Sequence, residues 1–174
     1  EEVRKALLQL ALAATARCGS DQSFSAFLSE LALIASEGCL DRFPDARAVA
    51  CQLAARLCVL YPQRMRQYSL EIIPAVLPSL AHRRAKVRAS ALSACDQLVR
   101  CGAAEAIRDM AAFRESNVIV FDEFYHGATR MNYMGALVID QNPTIRRQFF
   151  EVITGWMESL REKGDYETLI MPYV

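Results

Sequence analysis

The chain has 174 residues, 53% of them hydrophobic, and its 20 lysine and arginine side chains are balanced by 20 acidic ones. Such apolar content argues against disorder and suffices for one substantial core or one continuous array. The balance leaves no overall charge to draw the chain to nucleic acid or an anionic membrane, so any charged site here must be local. Alanine, leucine and arginine dominate while glycine and proline are few, which favours helix. In chain order, Val3 to Ala16 carries apolar residues at Val3, Leu7, Leu10, Ala11 and Ala14 and predicts a first helix that stops at Cys18-Gly19. Asp21 offers an N-cap for a second, whose stripe runs through Phe24, Phe27, Leu28, Leu31, Ile34 and Ala35 until Gly38 ends it. Pro44 suits the first turn of a third helix, which continues through Val49, Ala50, Leu53, Ala54 and Leu57 to about Leu60. After Tyr61-Pro62, Met65 to Leu80 predicts a helix kinked or interrupted by Pro74 and Pro78. Val87 to Leu98 follows, with Val87, Ala91, Ala94, Cys95 and Leu98 on one stripe and Arg88, Asp96, Gln97 and Arg100 on the other side; it ends at Cys101-Gly102. Ala103 to Phe113 and Tyr133 to Ile139 read as further helical segments. The last full helix has the stripe Ile145, Phe149, Val152, Ile153, Trp156, Met157 and Leu160, with Trp156 as core.

These helices repeat. Val3-Arg4, Ala46-Arg47, Val87-Arg88 and Ile145-Arg146 occupy matching places; the first three arginines stand 43 and 41 residues apart, and the fourth follows after 58. The two shorter steps lie inside the roughly 40 to 47 residue period of HEAT and armadillo arrays, and the longer one signals an insertion between Gly102 and Asp140. A second marker agrees, because Glu71-Ile72-Ile73-Pro74 resembles Thr168-Leu169-Ile170-Met171-Pro172 at a separation close to that of Arg47 and Arg146. Asp41 and Asp140 each stand six residues before their arginine, with Pro44 and Pro143 three before. The middle unit departs from this doublet, with His82 for Asp and Ala85 for Pro.

On these residues the chain resembles a run of HEAT repeats. The resemblance implies an all-α fold, a right-handed α-solenoid of stacked antiparallel helix pairs with one insertion between repeats. The expected organisation is a single array over 1–174, a fragment of a longer protein, with units at 1–19 (partial), 21–60, 63–102, 103–163 carrying the insertion at 114–130, and 165–174 (partial). In the family, Asp and Arg side chains of this type link neighbouring repeats, which implies that role for Asp41, Arg47, Arg88, Asp140 and Arg146. Pro78-Ser79-Leu80-Ala81-His82 with Val87-Arg88, and Ile145-Arg146-Arg147 with Val152 and Gly155-Trp156, are further similar to the HEAT-repeat factors that assemble axonemal dynein arms. That narrower resemblance implies a non-catalytic scaffold in the cytoplasm, with dynein heavy or intermediate chains and chaperones as partners. Another HEAT-type binding module, a tubulin-binding or transport-receptor array, is the alternative.

Two stretches are candidates for partner binding. Arg83, Arg84 and Lys86 make a basic cluster beside His82 at a turn and helix start, fit to meet an acidic partner or a phosphate, although a solvated turn is the plainer reading. The insertion brings Val118-Ile119-Val120-Phe121 and then Asp122, Glu123, Phe124, Tyr125 and His126, foreign to the repeat. Insertions of this kind map to loops on one face, often the binding face, or fold back to cover the array. Asp122, Glu123 and His126 match an acid/base or metal set by residue type only, and no second cluster supplies the remaining ligands. With no nucleophile elbow, glycine-rich phosphate loop or H-E-x-x-H, an enzyme is the least favoured class and no cofactor or metal is expected. The six cysteines, none spaced C-x-x-C, read as small apolar filling in a reducing compartment.

Overall fold

The structure is a computed structural model that describes residues 1–18, 24–113 and 131–174. Gly19 and Asp21, expected at the first inter-helix turn, and Phe121, Asp122, Glu123, Phe124, Tyr125 and His126 of the insertion lie outside the described residues. The fold is all-α: α1 (Glu2–Cys18), α2 (Leu28–Cys39), α3 (Pro44–Leu60), α4 (Pro62–Val76), α5 (Ala85–Cys101), α6 (Ala106–Ala111), α7 (Tyr133–Val138), α8 (Pro143–Ser159) and α9 (Gly164–Ile170). Short 3-10 turns at Phe24–Phe27, Leu77–Ala81 and Met171–Tyr173 complete the described elements. Two compact units divide the chain, Glu1–Ala106 and Ile107–Val174.

In the first unit each helix packs on its neighbours in the array: α1 on α3, α3 on α5, α2 on α4, with α2 set against α3 and α4 against α5. The centre is α3, which buries Ala46, Ala48, Val49, Ala50, Cys51, Leu53, Ala54, Leu57 and Cys58. Its alanines and cysteines are the reason four helices can crowd it, since small side chains let neighbouring backbones come close, and a helix apolar nearly all round belongs inside. Leu53 and Leu57 of α3 and Met65, Ile72, Leu80, Leu92 and Leu98 of the other elements are fully buried, each contributing about 1.5–3 kcal/mol of transfer free energy. The stripes read for α3 and α5 are buried throughout. Proline shapes α4 in two ways: Pro74 is held inside the helix, and Pro78 falls where the chain tightens from α into 3-10 geometry.

Two expected faces are corrected. In α1 the buried residues are Leu8 and Thr15, whereas Val3, Leu7 and Leu10 are 72%, 59% and 66% exposed. The helix carries apolar residues on two flanks, and the one that meets α3 tolerates a threonine because its hydroxyl donates to the Leu12 carbonyl at 2.6 Å. In α2 the turn Phe24–Phe27 is 3-10, Phe27 and Ile34 are exposed, and Ala32 and Cys39 are buried instead. Gly38 does not terminate α2 but sits within its last turn. There a Cβ would fall 2.7 Å from the Ala50 Cβ and 3.0 Å from a Leu8 methyl, so this glycine marks the close approach of α2 to α3 and α1. Among the described residues, Gly102 ends a helix, at φ +132° after α5.

The second unit centres on Ile107, Met110, Met134, Phe149 and Trp156, all fully buried. The α8 stripe is buried at Ile145, Phe149, Val152, Ile153 and Trp156, whereas Met157 and Leu160 at its end are only half-buried. Helix α6 is shorter than the expected 103–113, spanning Ala106–Ala111. Asn132, 1% exposed, fastens this unit. Its amide donates to the Ala111 carbonyl at 2.7 Å and to the Tyr173 hydroxyl at 2.5 Å, and its oxygen accepts from the Gly135 N–H at 2.7 Å to cap α7.

Candidate functional site

Three inter-helix turns are built to one plan. In each, a side chain accepts a hydrogen bond from the backbone N–H two residues on: Asp41 from Phe43 at 2.9 Å, His82 through Nδ1 from Arg84 at 3.0 Å, and Asp140 from Asn142 at 2.8 Å. The residue donating that bond has the same extended conformation each time, with φ, ψ of −91°, 121° at Phe43, −86°, 122° at Arg84 and −86°, 115° at Asn142. A helix begins at the next residue, Pro44, Ala85 or Pro143. This is the Asx-turn arrangement, and the middle turn keeps it because an imidazole nitrogen offers the acceptor that a carboxylate offers elsewhere.

The arginine six residues along closes each turn. Arg47 donates to the Asp41 carbonyl at 3.0 Å, Arg88 to the His82 carbonyl at 2.8 Å and the Arg83 carbonyl at 3.0 Å, and Arg146 to the Asp140 carbonyl at 2.5 Å and the Gln141 carbonyl at 3.4 Å. Because the acceptors are backbone carbonyls, the grip survives the change from Asp to His at position 82. These bonds run within a turn. One link from one repeat to the next is made by a different pair: Arg4 of α1 donates to Asp41 at 2.7 and 3.4 Å, and its guanidinium lies 5.2 Å from the centre of the Phe43 ring. The Arg4 guanidinium, aided by the Phe43 N–H, holds the Asp41 carboxyl below its ordinary value of 3.8 against the opposing cost of burial.

On the same edge of the first unit, Arg84 and Lys86 each approach Asp45 of α3 at 3.9 Å. Arg42, Arg83, Arg84 and Lys86 are exposed there. Burial first, and then the positive charges of Arg47, Arg83 and Arg84, push His82 below its ordinary value of 6.5. The edge is therefore basic despite the neutral chain, and chemically it can take carboxylates or other anions by charge-assisted hydrogen bonds. The sequence marks Arg4 by its place 43 residues before Arg47, without its partner, and gives no signal for Asp45 or Asn132. Among the described residues, no group of three or more His, Cys, Asp and Glu could hold a metal ion, and no helix is long and apolar enough to cross a membrane.

A family model described as dynein axonemal assembly factor 5-like, TPR repeats, matches residues 1–174. The chain is 25% identical over 172 residues to dynein axonemal assembly factor 5 from Homo sapiens and 23% identical over 172 residues to the protein of that name from Mus musculus. In both cases 99% of this chain is covered but 18% of the relative, so the chain spans under a fifth of the length of these curated relatives. No solved structure matches. With the match running over the whole array, the chain belongs to the dynein axonemal assembly factor 5-like family of repeat proteins.

Proposed function

We propose that this chain is a non-catalytic interaction segment of a dynein axonemal assembly factor. It presents its turn edge to dynein heavy or intermediate chains in the cytoplasm, alongside chaperones. The observation that carries the reading is the family match over residues 1–174. The arrangement supports it: packed helical layers leave broad outer faces suited to large partners, and Arg83, Arg84 and Lys86 provide a local basic contact on one edge. A tubulin-binding or transport-receptor array would line up basic or aromatic residues on successive turns, whereas the third turn reads Asp140-Gln141-Asn142. In this proposal Asp41, Arg47, Arg88, Asp140 and Arg146 maintain the turns and the joins between repeats. The insertion residues Phe121, Asp122, Glu123, Phe124 and Tyr125 add partner contacts.

The test is capture by the tagged full-length protein from ciliated cells, beside a variant carrying Arg83→Glu, Arg84→Glu and Lys86→Glu. Dynein heavy chains and chaperones are expected with the unaltered protein and at least several-fold less dynein with the variant. Failure of the unaltered protein to recover dynein chains would overturn the assignment. Equal recovery by both would remove the basic edge from it.

A further inference from the structure

Five of the six cysteines are buried, and apolar filling accounts for a thiol such as Cys95 well enough. Cys39 and Cys51 are placed differently. Helices α2 and α3 come close at Gly38 and Ala50, where a Cβ on the glycine would lie 2.7 Å from that of the alanine. One residue further along each helix, the Cys39 and Cys51 sulfurs are 3.7 Å apart, and both residues are fully buried. Two successive pairs in contact mean that the backbones themselves are close. The two sulfurs are already in van der Waals contact, one residue from the point where Gly38 meets Ala50. Closing 3.7 Å to about 2.0 Å then needs side-chain rotation and a small helix shift.

We propose that Cys39 and Cys51 form an oxidative modification site, in which a low-molecular-weight disulfide such as oxidised glutathione converts the pair to a disulfide that staples α2 to α3. The steps balance by thiol–disulfide exchange. Cys39, as thiolate, attacks one sulfur of oxidised glutathione, forming a mixed disulfide and releasing one glutathione thiolate. The Cys51 thiolate then attacks the Cys39 sulfur and displaces the second glutathione. The two cysteine protons end on the two glutathiones, the pair is oxidised by two electrons, and the reagent is reduced by the same two. The closed fold holds this reaction back. The hydrogen bond to Cys51, followed by burial, pushes the Cys39 thiol far up from its ordinary value, leaving almost no thiolate. Cys39 is the last residue of α2 and is followed by the exposed Leu40, so opening the final turn of that helix is the shortest route for the reagent. The site thus couples oxidation to local opening of α2. Opening exposes the pair, and the staple afterwards keeps the two helices joined.

The experiment incubates the whole chain with oxidised glutathione at rising urea concentrations below the unfolding transition, blocks remaining thiols, and maps cross-linked peptides by mass spectrometry. The expected result is loss of two of the six thiols, a cross-link joining Cys39 to Cys51, formation several-fold faster as urea rises, and reversal by dithiothreitol. Cys39→Ala should lose the cross-link and Cys95→Ala should keep it, while mapping of the unaltered chain decides the matter if either variant folds poorly. A bond from Cys51 to Cys95 in place of the expected one would overturn the proposal. So would a bond from Cys58 to Cys101, whose sulfur lies 3.4 Å from the Cys58 carbonyl, separate glutathione adducts on Cys39 and Cys51, or no oxidation at any urea concentration.

Discussion

Arg88 illustrates how one side chain stands in for an irregular turn. Its two bonds to the His82 and Arg83 carbonyls satisfy acceptors that would otherwise lose a partner at the entry to α5. Arg88→Ala is expected to lower stability by about 1 kcal/mol, below the usual range for a charged hydrogen bond because these two are part-buried and exposed, and urea unfolding measures it. His82 has its own signature. Nδ1 accepts the Arg84 N–H, so the folded state needs the neutral ring, and burial and the nearby arginines depress its pKa below 6.5. The folded state therefore binds fewer protons than the unfolded state as pH falls through that region. The stabilisation is present above pH 6.5 and is lost as pH drops through the depressed value. Asp41 acts in the same direction but only below its ordinary 3.8, which separates the two windows. Between about pH 7.5 and about pH 5.5 the urea midpoint should fall more for the unaltered chain than for His82→Asn, which retains an acceptor without titrating. Equal falls would remove His82 from the acid response. At this scale Asp41, Arg47, Asp140 and Arg146 were visible as a spaced doublet. That His82 does the work of an Asp was not, since spacing records residue types and says nothing of which atom accepts.

At the scale of the helix, local periodicity identified α3, α5 and α8 and the faces they bury, because each has a single broad apolar stripe. It failed for α1, which has two. Val3, Leu7 and Leu10 repeat at helical spacing as well as Leu8 and Thr15 do, and only packing against α3 selects between them. Gly38 is the comparable case in α2. Gly38→Ala would push a methyl into the Ala50 Cβ, which is fixed to its backbone and cannot swing aside. A loss of about 1–3 kcal/mol is expected from such overpacking, seen as a lower denaturation midpoint with helical circular dichroism retained at low temperature. The flanks of the insertion are tied by Asn132, whose amide reaches the Ala111 carbonyl, so the helical unit is held together at the base of that segment. Deleting Ser116 to His126 should leave helical content nearly intact and weaken partner capture. Collapse of the circular dichroism spectrum would instead make the segment a structural cover.

For the whole molecule, the 41 to 43 residue spacing of Arg4, Arg47 and Arg88 sits nearer the HEAT period than the roughly 34 residues of a TPR unit, although the matching family is described by TPR repeats. Both are helical-pair arrays, and the described packing of neighbour on neighbour is common to them. Charge neutrality over the chain coexists with a basic edge because the turns of successive helices bring Arg42, Arg83, Arg84 and Lys86 to one side, opposed there by Asp41 and Asp45. The sequence alone determined the all-α class, the repeat spacing, the helix start at Pro44 and the core of α3, α5 and α8. These depend on residues within a turn or two of one another, and on spacings that can be counted. The tertiary structure alone decided which flank of α1 is buried, that Arg4 meets Asp41 across 37 positions, that Asp45 faces Arg84 and Lys86, and that Cys39 lies against Cys51. Those choices are made by neighbours far apart along the chain, brought together when one helix settles on the next, and no local pattern encodes them.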